Sequence, residues 1–117
     1  VSYGPVQVYN VGIASGASTS SFIDLGGKSY TWMSVGYVTM STGALVSVYG
    51  CDTSTGTFKP VQNLVTNTST VAYQSLQIPT STSGSWAGFE APPFRYIQLV
   101  ASAVVSGGVS FTVLASD

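Results

Sequence analysis

Residues 30–61 constrain this chain more than any other stretch, because their apolar side chains recur at every second position rather than at helical spacing. From Tyr30 to Met40, a period of two puts Tyr30, Trp32, Ser34, Gly36, Val38 and Met40 on one face. Thr31, Met33, Val35, Tyr37 and Thr39 fall on the other. Both faces are rich in apolar groups, which suits a central strand of a sandwich better than a ribbon with one wet side. Ser41, Thr42 and Gly43 then turn the chain, residues 44–50 return, and residues 51–58 turn again into Lys59, Pro60 and Val61. The expectation is a three-stranded meander. Trp32 is expected in its core, where truncation to alanine would cost about 3–5 kcal/mol.

The rest of the chain reads as strands packed around that meander. Val6 and Val8 alternate with Gln7 and Tyr9, as in an edge strand or an extended arm, and residues 14–21 form a loop of small residues. A short strand at 22–25 leads through Gly26 and Gly27 into the Tyr30 strand. Residues 61–65 precede a polar turn at 66–69, and a strand at 70–78 is stopped by Pro79, which cannot donate to a ladder. Residues 80–88 read as a Ser/Thr/Gly loop carrying Trp86. Two β-rich runs, 94–101 and 109–115, flank Gly107 and Gly108 as a final hairpin. No apolar stripe of helical period appears anywhere. The fold class is therefore all-β: an antiparallel β-sandwich, jelly-roll or Ig-like, of about seven to eight short strands with almost no helix. Residues 1–21 are expected as an N-terminal arm or edge strand, and 22–117 as the sandwich domain.

A chain of 117 residues is enough for one domain with a real core. Only 6% of its residues are charged, against about a quarter in ordinary domains, while 32 are serine or threonine, so the polar surface is hydroxyl rather than ionic. Lys28, Lys59 and Arg95 stand against Asp24, Asp52, Glu90 and Asp117, a net charge of −1. Three scattered cations cannot neutralise a run of phosphates, so nucleic acid is not expected as a partner. So little charge also gives copies no self-repulsion, which hints at assembly. Residues 96–116 carry no charge and are long enough to span a membrane, but Gln98, the serines and the Gly-Gly pair fit strands better, and no membrane partner is expected. No signal peptide is expected from the opening residues.

Catalytic and metal motifs fail on inspection. The absence of histidine removes the Ser-His and Cys-His pairs, and with Cys51 as the lone cysteine it excludes a zinc site of the usual kind and any disulfide within the chain. Gly27-Lys28-Ser29 resembles the end of a phosphate-binding loop, but Phe22 stands where the first glycine belongs and a strand follows where a helix is needed. Asp52 to Gly56 has oxygen donors at alternate positions, yet one carboxylate makes a poor calcium cage, and a capped hairpin turn explains it. Nothing in the pattern pairs Asp24, Asp52 and Glu90 as glycoside hydrolysis requires. Glu90 and Arg95 flank a Pro-Pro turn and are expected to orient it. Asn67-Thr68-Ser69 matches a glycosylation sequon, a short and common pattern. No catalytic residue, metal or cofactor is expected. Trp86 and Phe89, with Tyr73, are the candidates for stacking on a sugar or anchoring a protein partner. Phe58 and Tyr49 are expected in the core or in cross-strand pairs.

Several strings taken together resemble a known group. Ile23-Asp24-Leu25-Gly26-Gly27 leads to Tyr30 and Trp32; Val48-Tyr49-Gly50 precedes a turn ending in Gly56-Thr57-Phe58; and Ala91-Pro92-Pro93-Phe94-Arg95-Tyr96-Ile97 precedes the last two strands. Their order, over residues 14–115, resembles small β-sandwich virion proteins of tailed bacteriophages, of the capsid decoration (cement) or head and tail appendage type. Such strings also recur in carbohydrate-binding modules. The resemblance implies a non-enzymatic structural protein present in many copies on the phage particle and made in the host cytoplasm. Its partners would be the major capsid protein or other virion subunits. It implies a homo-oligomer, trimers being common among decoration proteins, with the N-terminal segment (Tyr3, Val6, Val8, Tyr9) as an arm on a neighbouring subunit. The alternative is a carbohydrate-binding or receptor-binding module of a phage appendage.

Overall fold

The computed structural model describes residues 6–26, 30–37, 40, 45–66, 71–78, 84–105 and 107–116, with the side chains of 63–66 and 71–75 excepted. The described residues form strands and connections with no helix. The strands are β1 (Val6–Ile13), β2 (Ile23–Asp24), β3 (Trp32–Tyr37), β4 (Val46–Cys51), β5 (Lys59–Pro60), β6 (Gln62–Thr66), β7 (Val71–Ser75), β8 (Gln77–Ile78), β9 (Ser85–Glu90), β10 (Tyr96–Ala101) and β11 (Val109–Ser116). One sheet, sheet A, has the order β1-β11-β3-β9; the other, sheet B, runs β2-β10-β4-β5, with β8 also on β4; β6 and β7 make a separate hairpin. Every pairing between these strands is antiparallel. This is the β-sandwich that the alternation predicts.

Alternation explains the core. In β11, Val109, Phe111, Val113 and Ala115 are buried while the residues between them are not; in β10, Ile97, Leu99 and Ala101 behave the same way. Met33 and Val35 of β3, Ile13 of β1, and Val46 and Val48 of β4 join them in a single cluster between the sheets. Each of these strands contributes one face to it.

The partners of these strands differ from the expected ones. β3 and β4 do not pair: β3 lies between β11 and β9 in sheet A, and β4 pairs with β10, β5 and β8 in sheet B. The expected meander is thus split between two sheets. The final hairpin is split in the same way, since β10 pairs with β2 and β4 while β11 pairs with β1 and β3. In both places a strand with one buried face crosses over the core and faces its sequence neighbour from the opposite sheet. Period two is satisfied equally by a hairpin and by this crossing. The expected 70–78 strand divides at buried Leu76, whose N–H donates to the Val61 carbonyl (2.8 Å) and whose carbonyl accepts from Val48 N–H (2.9 Å). Residues 96–116 thus form two strands in different sheets, and no helix among the described residues is long and apolar enough to cross a membrane.

The small-residue loop at 14–21 straps itself onto sheet B. Ser20 N–H donates to the Leu99 carbonyl (2.9 Å), Ala101 N–H to the Ser18 carbonyl (2.7 Å) and Val105 N–H to the Ala17 carbonyl (2.8 Å). Ser20 is the buried polar residue of the described core; its Oγ accepts from Leu99 N–H (3.0 Å) and donates to the Ser21 carbonyl (2.8 Å). Ser20→Ala leaves the Leu99 N–H without this acceptor at a buried position. The expected loss is about 1–3 kcal/mol in urea unfolding, and a loss near zero would mean that water replaces the hydroxyl.

Candidate functional site

The outer face of sheet A carries four of the seven exposed large apolar side chains among the described residues. Register and period two set out its rows: Val6, Ser116, Trp32 and Glu90; then Val8, Leu114, Ser34 and Gly88; then Asn10, Thr112, Gly36 and Trp86. Val6, Val8, Trp32 and Trp86 are all exposed, Trp86 at 62%, and Leu114 is half-buried between them. Thr112 Oγ1 donates to Asn10 Oδ1 at 3.4 Å.

The two tryptophans occupy glycine slots on each other's strand. A methyl group built on Gly36 of β3 would lie 2.5 Å from both Cδ2 and Cε3 of Trp86 and 2.7 Å from Cζ3. Near-equal approach to three consecutive ring atoms means that the benzene ring covers Gly36 face-on. On Gly88 of β9, a methyl would lie 2.9 Å from Cζ2 and 3.0 Å from Nε1 of Trp32. The absence of a Cβ lets each indole approach the neighbouring backbone closely.

The sequence-derived candidates separate. Trp86 lies on strand β9 rather than in a loop, because Ser85–Glu90 pairs along its length with β3. Phe89, three residues on, points to the opposite face and is 8% exposed within the core, so it does not share a surface with Trp86. Tyr73 belongs to β7, opposite Leu64, and its side chain lies outside the described residues, as do Tyr3 and the Asn67 sequon. Val6 and Val8 flank the tryptophan rows on the same face, whereas Tyr9 faces the other way and is half-buried. Trp32, expected in the core from its strand, is 46% exposed on the outer face. Its signal was the pairing of two tryptophans with two glycines, but that becomes visible only once the β3–β9 register is known.

Sheet B carries a second aromatic group on its outside. Phe22 meets Tyr96 edge-to-face at 5.4 Å and stacks on Phe58 at 6.3 Å, and the Arg95 guanidinium sits 5.2 Å from the Tyr96 ring centroid. Arg95 does not engage Glu90. Its Nε and Nη2 donate to the two Asp24 carboxylate oxygens at 3.0 and 3.3 Å, a two-pronged pair at the surface. That contact, followed by the Gly26 N–H, holds the Asp24 carboxyl below its ordinary value. Glu90 instead lies across from Trp32. Cys51 is a buried free thiol beside the Asp52 turn. Among the described residues no cluster of three metal-binding side chains occurs.

A cleft of about 530 Å³ runs between the β1 edge and residues 21–24. On β1, Tyr9 shares a hydrogen bond with the Tyr30 hydroxyl (3.0 Å). Burial first, then that bond, pushes its phenol up from 10 to about 12. The folded state therefore keeps its proton where the unfolded state loses it. This contribution to stability is complete below pH 10 and disappears as pH climbs toward 12. Tyr9→Phe is expected to flatten part of the alkaline fall in urea midpoint; an unchanged slope would mean that Tyr9 titrates alike in both states.

No protein-family profile matches the chain, and no curated protein sequence matches it. Its fold is similar to that of the SPBc2 prophage-derived protein YomS, with a TM-score of 0.58 and 17% identity over 100% of this chain and 99% of that one. A looser likeness, TM-score 0.40 and 17% identity over 98% of this chain and 91% of the other, is to a protein of the disulfide-linked pili of Bacillus endospore appendages.

Proposed function

We propose that this chain is a non-enzymatic structural subunit of a phage particle, a capsid decoration protein that attaches to and stabilises the head shell. The observation that carries the reading is strand β1. It forms one edge of sheet A over eight residues, and among the described strands it pairs only with β11. Natural sheet edges are blunted by charge, proline, bulges or short length. The β1 sequence VQVYNVGI contains neither charge nor proline, and exposes Val6 and Val8 beside the edge. Such an edge suits pairing with another polypeptide, whether a capsid subunit or a second copy. A chain with only 6% charged residues supports the same reading, since a particle lattice does not need charge to keep its subunits in solution. The prophage origin of YomS, a protein of the same fold, agrees with it.

The test is co-sedimentation with emptied, undecorated phage heads. Binding is expected to saturate at a fixed number of copies per shell and to fall away for Val8→Lys, which adds an edge charge at an exposed position. Absence of saturable binding by the folded chain would overturn the assignment.

A further inference from the structure

The β3–β9 half of the outer face differs in chemistry from the valine-lined β1 half. Trp86 does not stand up as a knob that would enter a pocket on a protein partner. Its lower face covers Gly36, and the ring remains largely open to solvent. A ring pressed onto backbone loses little further freedom when a ligand stacks on it. Trp32 lies over Gly88, and the two slots are offset by one strand and two residues, about 8 Å on strand geometry. Ser34, Thr112 and Asn10 share this face and supply hydroxyl and amide groups, and Glu90 supplies an acceptor beside Trp32.

The charges narrow the ligand. Among the described residues the cations are Lys59 and Arg95, which belong to or adjoin strands of sheet B; the tryptophan rows hold an acidic residue, Glu90, and no basic one. An aromatic platform for nucleic acid is accompanied by a basic groove along the phosphates, and here the local charge has the wrong sign. A neutral polyol has no such requirement. The apolar C–H face of a pyranose ring matches an open indole, whose face is electron-rich, and its hydroxyls match the surrounding serine, threonine, asparagine and glutamate. We propose that the β3–β9 surface binds a neutral hexose polymer, with Trp86 as the stacking floor and Trp32 at the adjoining position.

This site does not depend on the decoration reading: a chain that binds heads but no glycan loses only this proposal. The experiment is a screen on an array of neutral and anionic glycans, followed by titration of the soluble chain with neutral hexaoses of glucose and N-acetylglucosamine, read by tryptophan fluorescence and calorimetry. Saturable binding to a neutral glycan is expected, weakened at least about tenfold by Trp86→Ala and several-fold by Trp32→Ala. Trp86→Phe is expected to retain part of the affinity, and it keeps the test valid if the alanine variant folds poorly. Three results would overturn the proposal: no binding to any neutral glycan, neutral-glycan binding that ignores Trp86, or a preference for anionic glycans. Tryptophan variants that lose head attachment, in a chain without glycan affinity, would assign the surface to a protein partner instead.

Discussion

Phe111→Ala is expected to remove about 3–5 kcal/mol of stability, a large share of the roughly 5–15 kcal/mol that a domain possesses. Phe111 is 1% exposed on β11, a strand flanked by β1 on one side and β3 on the other. It stands opposite Tyr37 in the β3 ladder and opposite Val11 in the β1 ladder, and its ring meets Tyr37 edge-on at 5.9 Å. Truncation would lose that contact and leave a void bordered by two ladders that hold their backbones in place, so little of it can collapse. Trp32→Ala, measured in the same denaturant series, is expected to cost only about 1 kcal/mol, because half of its indole already faces water. Sequence reading ranks Trp32 among the most harmful positions. If Trp32→Ala cost more than Phe111→Ala, the assignment of Trp32 to the outer face would be wrong.

Gly108→Val is expected to cost about 2–4 kcal/mol, more than replacement of its neighbour Gly107 by alanine. Gly107 and Gly108 both have positive φ, 82° and 73°, in the crossing from sheet B to sheet A. A side chain at Gly107 would meet nothing within 4 Å, so Gly107→Ala carries only the left-handed penalty, about 1–2 kcal/mol. At Gly108 a Cβ would lie 3.2 Å from both the Ile13 carbonyl oxygen and Ser15 N, backbone atoms that cannot swing aside. A branched side chain adds to both problems. Thermal unfolding of the two variants side by side separates strain from crowding: equal losses would show that the backbone of residues 13–15 moves away freely.

Charge behaves as the composition suggests in one respect and not in another. A nearly uncharged chain has few ion pairs to offer, and the pair formed among the described residues, Asp24 with Arg95, joins residues 71 positions apart. Glu90 is five residues from Arg95 and looked the better partner across the Pro-Pro turn. It ends β9 in sheet A, however, while Arg95 adjoins β10 in sheet B. Proximity along the chain is overruled once a turn carries the backbone from one layer to the other.

The main strands were legible, although β9 reads as a loop in the sequence and the expected 70–78 strand divides in two. Period two in β3, β4, β10 and β11 was readable directly, because a strand with one buried face must alternate and a helix cannot. That pattern, the want of any helical stripe and the glycine turns determine an all-β sandwich. What only tertiary structure decided was pairing. Alternation defines two sides of a strand and says nothing of which strand lies beside it. A hairpin and a crossing to the opposite sheet bury the same residues, and the choice depends on packing summed over both layers. The split of β3 from β4, the burial of Phe89 behind Trp86, and the outward turn of Trp32 all follow from that choice. So does the candidate site: Trp86 meets Gly36 and Trp32 meets Gly88 only because β3 and β9, some fifty residues apart in the chain, are neighbours in one register.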